Sequence, residues 1–190
     1  EMCIRDSAKP VLADDYEIAA KSAIAVDANS GKILYEKEAT SPLEVGAITN
    51  ILTAYLVYEA IADGKLSLET EVDISDYAYQ LTVNPSIANL PLEARRYKVK
   101  DLLNASLLAS ANSATIALAE KVGGSEENFV KMMKAKLKEW KISDAIIVNA
   151  TGTDIRLLDG SLETTNTEEE AAENSKSKKK QETVNKFSAY

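Results

Sequence analysis

Chemistry in this chain has to work without histidine. The 190 residues contain none, and the only cysteine is Cys3. Ser-His-Asp and Cys-His catalysis are therefore excluded, as are histidine-ligated metals, and no disulfide can form within one chain. A nucleophile here needs lysine or a carboxylate as its base. Ser175 to Lys178 and Ser177 to Lys180 have Ser-x-x-Lys spacing. Both fall in a charged run with no helix to hold them and no apolar pocket to depress a lysine pKa, so they read as solvated charge. Ser110-Ala111-Asn112 lies between two predicted helices, where a loop can aim side chains into a cleft. By itself it is as readily an interhelical turn. Tyr77, Tyr79, Tyr97 and Trp140 have the rings to stack on sugars, but packing is the better reading of them. The reading assigns no cofactor and no metal.

The elements that must carry these residues follow from pattern. Ser22–Val26 and Lys32–Tyr35 are strand-like and flank Asp27-Ala28-Asn29-Ser30-Gly31, which is dense in turn formers. This predicts a hairpin, and two strands alone are marginal in water, so it needs partners. Ala47 to Ile61 is apolar on nearly every side and predicts a helix buried all round, with Gly64 beyond it. Asp101–Leu108 and Ser113–Val122 predict two more helices, the second closed by Gly123-Gly124. Ser125 caps a long amphipathic helix with Phe129, Met133, Leu137 and Trp140 on one face. Ile146–Val148 reads as a short strand.

The ends differ in kind. Residues 1–7 lack periodicity and look like a sequencing-adapter scar, and residues 8–13 look like the tail of a secretory signal. Residues 154–183 are polar, with Glu168-Glu169-Glu170 followed by Lys178-Lys179-Lys180, and read as a solvated low-complexity loop. Residues 184–190 turn apolar again, like the start of an element. A net charge of −8 argues against a nucleic-acid binder, which needs a basic face. No run of about 18 apolar residues predicts a membrane span.

Three stretches carry a family resemblance: Ser22 to Tyr35, Leu107 to Glu120 around Ser110-Ala111-Asn112, and Val148-Asn149-Ala150-Thr151-Gly152. In order and spacing they resemble the serine D-alanyl-D-alanine carboxypeptidases, the low-molecular-mass penicillin-binding proteins, over residues 16 to 153. The resemblance implies an α/β (α+β) chain with the fold shared by serine β-lactamases and transpeptidases. The partial domain is expected over residues 14–153 and is expected to be incomplete at the C-terminus. It implies peptidoglycan stem peptides as substrates and β-lactams as inhibitors. It also implies an extracytoplasmic parent protein associated with the cell wall or membrane.

The family mechanism needs a serine and, three residues on, a lysine on the same helix face. Matching Pro42-Leu43 and Ile51–Val57 to the family puts that motif at Ala47-Ile48-Thr49-Asn50. Ala47 stands where the nucleophile belongs and Asn50 where the base belongs. Thr49 is turned about 200° from Ala47 and cannot substitute. The second motif is retained as Ser110 and Asn112. The third, Lys-Thr-Gly, is absent, and Thr151-Gly152-Thr153 matches a different family segment. The expectation is an inactive carboxypeptidase homologue. The alternative is a noncatalytic peptidoglycan-peptide-binding or scaffold module.

Overall fold

The structure is a computed structural model that describes residues 18–93, 95–159 and 182–189. The sequence readings for residues 1–7 and 8–13, and for the serines and lysines of 175–180, lie outside the described residues. The chain divides into two compact units, Glu1–Leu43 with Ser188–Tyr190, and Glu44–Phe187.

The first unit contains the predicted hairpin. Strands β1 (Ala23–Val26) and β2 (Ile33–Lys37) pair antiparallel, with Ile24 opposite Glu36 and Ala25 opposite Tyr35. The turn chemistry sets the reversal. Asp27 Oδ1 accepts from the Ser30 amide at 2.7 Å and the Ser30 hydroxyl at 2.6 Å, and Gly31 takes the left-handed φ of +69°.

The second unit is helix-rich. In chain order it has α1 (Thr49–Ala62), β3 (Glu71–Asp73), α2 (Asp76–Leu81), β4 (Arg96–Lys98), α3 (Val99–Ala109), α4 (Asn112–Gly123), α5 (Glu126–Glu139) and α6 (Ile155–Leu158). Helix α4 is central: every residue from Asn112 to Ala119 is buried. Its alanines at 114, 117 and 119 let neighbouring helices approach closely. One core packs α2, α3 and the antiparallel β3–β4 ribbon on α4 through Val72, Leu81, Leu102, Ile116 and Leu118. A second packs α1 and α5 on α4 through Leu56, Ala119, Phe129 and Met133. Phe129 and Met133 are fully buried, each worth roughly 1.5–3 kcal/mol over exposure. Helix α4 ends as the sequence suggests, with Gly124 at φ +76°. Ser125 Oγ caps α5 by accepting from the Asn128 amide at 3.2 Å.

Five expectations are corrected. The helix predicted from Ala47 starts at Thr49, after a single 3₁₀ turn over Gly46–Ile48. It is not buried all round, because Ile48, Ile51, Tyr55 and Tyr58 are exposed and share one stripe at helical spacing. Trp140 is 41% exposed, lying beyond the end of α5, where it meets the Tyr55 ring edge-on at 4.8 Å. Ile146–Val148 is a single antiparallel bridge from Ile146 to Lys186 rather than a strand. The start of the expected loop at 154 is helical, because Asp154 caps α6 by accepting from the Arg156 amide, and Leu158 is buried. Of the aromatic candidates, Tyr79 and Tyr97 pack against the first core, while Tyr77 is 40% exposed.

Candidate active site

The 3₁₀ turn makes residues 47 and 49 face differently. Ala47 is exposed, whereas Thr49 and Asn50 are buried at 1% and 3% exposure. Asn50 enters a small polar web between α1, α3 and α4. Its Nδ2 donates to Ser106 O at 3.2 Å, and its Oδ1 faces the Thr115 hydroxyl at 3.4 Å. Ser106 Oγ and Thr115 Oγ1 are 2.7 Å apart, and Thr115 Oγ1 also reaches Ala111 O at 3.1 Å. Thr115 has one proton, and the Ala111 carbonyl is its nearer acceptor, so Ser106 donates to Thr115. The web is neutral throughout. It can hold an amide and has no group that would take a proton at neutral pH.

Ser110 and Asn112 bracket the junction of α3 and α4. Ser110 ends α3 in the left-handed region at φ +51°, closed by the Ala111 amide donating to Ala105 O at 3.1 Å. Glycine is the usual residue there, and a side chain costs about 1–2 kcal/mol. Backbone outliers of this kind gather at functional sites. Ser110 is half-buried, and its hydroxyl has no hydrogen bond among the described residues. Asn112 is 4% exposed and already engaged. Its Nδ2 donates to Ala88 O at 2.9 Å, and its Oδ1 accepts from Thr153 Oγ1 at 2.7 Å. One amide hydrogen and part of the carbonyl oxygen have no partner among the described residues. Next to it, Ser113 Oγ is buried without a partner among the described residues.

The segment 149–153 braces both motif positions. Asn149 Oδ1 accepts from the amides of Thr151 and Gly152, and its Nδ2 donates to Thr153 O, which folds the loop on itself. Gly152, at φ +78°, lies so close to the 3₁₀ turn that a Cβ there would collide with the Gly46 carbonyl and Thr49 Oγ1. Thr53 Oγ1 donates to Ala150 O at 2.7 Å, tying the loop to α1, and the Thr153–Asn112 bond ties it to α4. Asn185 completes the brace. It is fully buried, accepts from the Val148 and Asn149 amides, and donates to Asn149 O at 2.9 Å and Thr49 Oγ1 at 3.3 Å.

Sequence reasoning missed Asn50's partners and Asn185. Nothing in the spacing of Ser106 and Thr115 marks them as neighbours of residue 50. The one signal for Asn185 was the return of apolar residues around it after the charged run.

A partly buried carboxylate, Glu126, touches the loop. Its Oε1 accepts from the Ala150 amide at 3.0 Å, yet burial pushes its carboxyl above the usual range. Tyr77 is pushed up to about 12, first by burial and then by Glu126, Glu120 and Asp159. Among the described residues no cluster of acidic or sulfur groups could hold a metal ion, and no helix is long and apolar enough to cross a membrane.

Comparison with known proteins gives this geometry its class. The sequence pattern of the family described as D-alanyl-D-alanine carboxypeptidase matches residues 7–184. The chain belongs to that family. D-alanyl-D-alanine carboxypeptidase DacF of Bacillus subtilis is 35% identical over 134 residues, covering 70% of this chain and 33% of that protein. The crystal structure of a peptidoglycan synthesis regulatory factor (PBP3) from Streptococcus pneumoniae is similar at 54% identity and a TM-score of 0.78, covering 92% of this chain and 45% of that one. Penicillin-binding protein D2 from Listeria monocytogenes, solved in an ampicillin-bound form, is 25% identical with a TM-score of 0.63, covering 77% of this chain and 62% of that one. The fold is therefore that of the penicillin-binding D,D-peptidases, mixed helix and strand as expected. The chain spans about a third of the length of the curated carboxypeptidase and under half of the pneumococcal structure.

Proposed function

We propose that this chain is a catalytically silent relative of the serine D-alanyl-D-alanine carboxypeptidases. In the parent reaction a serine would attack the penultimate carbonyl of a stem peptide, and a lysine would take its proton. The observation that carries the proposal is the pair Ala47 and Asn50. Ala47 presents only a methyl group, and Asn50 donates its amide to the Ser106 carbonyl in a buried web with no proton acceptor of lysine's kind. Losing a nucleophile of this kind costs on the order of 10⁶ in turnover. The parent protein is read as extracytoplasmic, acting at the cell wall. The test is release of D-alanine from a peptide ending in D-Ala-D-Ala. No release above the buffer rate is expected, and stoichiometric turnover would refute the proposal.

A second reading, a noncatalytic binder of such peptides, is favoured by Ser110. Its left-handed backbone holds a half-buried hydroxyl, without a hydrogen bond among the described residues, two positions before Asn112. Equilibrium binding of the same peptide, abolished by Ser110→Ala, is the outcome this reading expects. Equal binding by Ser110→Ala would leave the fold without a site there.

A further inference from the structure

Helix α5 carries its lysines in two sets. Lys131 pairs with Glu127 at 2.9 Å, and Lys136 pairs with Glu59 at 2.7 Å and Glu139 at 2.8 Å. Lys134, Lys138 and Lys141 are exposed and have no ion pair among the described residues. These three line one open recess of about 290 Å³ together with Leu137, Ile142 and Ser143. Lys134 and Lys138, four residues apart, share one face of α5, and Lys141 follows just past the helix end. In a chain of net charge −8, three lysines lining one recess with no ion pair among the described residues run against the general balance.

Basic residues in a last helical turn ordinarily offset the helix dipole. Lys136 and Lys138 lie in the last turn of α5 and serve that purpose. Lys141 lies past the helix end, and its backbone is unusual. It adopts φ +62°, while the Ile142 amide closes the helix onto Leu137 O at 2.9 Å. Glycine is the favoured residue at such a position, because a side chain there is strained. A lysine at this strained point carries the cationic face beyond the last turn and around the recess.

We propose that this recess binds a phosphate-bearing anion. The three ammonium groups would act as point charges on the phosphate oxygens, with Leu137 and Ile142 under the adjoining carbon atoms. Three flexible point charges suit a tetrahedral group that accepts from several directions, whereas a planar carboxylate is better matched by an arginine fork. The proposal does not depend on the site at Ala47 or on any catalytic activity.

The test titrates the full chain with tripolyphosphate and, separately, with phosphatidylcholine vesicles containing one third phosphatidylglycerol. Binding to either probe should weaken as salt rises from 50 to 200 mM. The triple variant Lys134→Gln/Lys138→Gln/Lys141→Gln should weaken it about tenfold or more. Lys141→Gly alone should bind more weakly than the parent while melting no lower, an opposition that a purely structural lysine would not produce. Binding confined to tripolyphosphate identifies a soluble phosphate chain as the source, and binding confined to vesicles identifies a lipid headgroup. Binding to neither probe, or equal binding by the triple variant, overturns the proposal.

Discussion

Asn50→Lys puts an ammonium group where the family chemistry would have its base, and the structure sets what that should cost. The position is 3% exposed, and the acceptors beside the present amide are the Ser106 carbonyl and the Thr115 hydroxyl. No carboxylate takes part in the web. Burial therefore disfavours the charged lysine and lowers its folded-state pKa below the unfolded value of about 10.4. Fully buried lysines fall by up to about 3–5 pH units, and the neutral hydrogen bonds here would offset part of that. A net depression of about 2–3 units corresponds to roughly 3–4 kcal/mol of destabilisation at pH 7. The sign follows from linkage. Below the folded pKa both states are charged and the full penalty applies. As pH rises toward 10.4 the folded state sheds its proton first, and the penalty disappears above that value. Urea denaturation of the parent and Asn50→Lys at pH 7 and pH 10.5 measures this, with the parent correcting for every other titrating group. The gap in stability should shrink by about 3 kcal/mol at the higher pH. Any overpacking by the longer side chain would remain as a constant offset. An unchanged gap would mean that the lysine reaches solvent or a counter-charge, and that this web does not hold a neutral lysine.

Further outcomes follow from the brace at 149–153. Gly152→Ala should cost about 3 kcal/mol or more by chemical denaturation, because the methyl meets backbone at the Gly46 carbonyl and the left-handed φ adds strain. Gly124→Ala, with open space around its Cβ, should cost only about 1–2 kcal/mol. Asn185→Ala leaves two amides and the Asn149 carbonyl without their partner at a buried position and should cost about 3 kcal/mol, read in the same assay. Glu126→Gln keeps an acceptor for the Ala150 amide but removes a partly buried charge. A carboxyl held above its usual value contributes stability at low pH and loses it as pH rises through its folded-state pKa. The variant should therefore gain on the parent between pH 4 and pH 7, and a constant difference across that range would contradict the assignment.

What could be read from sequence was local. The Asp27–Gly31 turn, the Ser125 cap and the Gly124 stop each place their hydrogen-bonding or left-handed residue within a few positions of the element they control. The β3–β4 ribbon left no such mark. Its strands, Glu71–Asp73 and Arg96–Lys98, have three residues each with one inward side chain, and their exposed Arg96–Asp73 and Arg96–Glu71 pairs are long-range. The solvent stripe on α1 was hidden for another reason. Ile48, Ile51, Tyr55 and Tyr58 are apolar, and composition cannot separate an apolar side chain that is covered from one that is not. The motif positions Ala47, Asn50, Ser110 and Asn112 were found by resemblance. The bonds that tie these stretches together come from the loop at 149–153, which reaches Thr53 and Asn112, and from Asn185, which reaches Thr49 across 136 residues.

The proposed reading turns on Ala47, which leaves the family's nucleophile position without an oxygen. Incubating the unmodified chain with a fluorescent penicillin and reading its intact mass tests it most directly. The account predicts the unlabelled mass alone. A covalent adduct would contradict it, and peptide mapping would then identify the serine that has taken the place of Ala47.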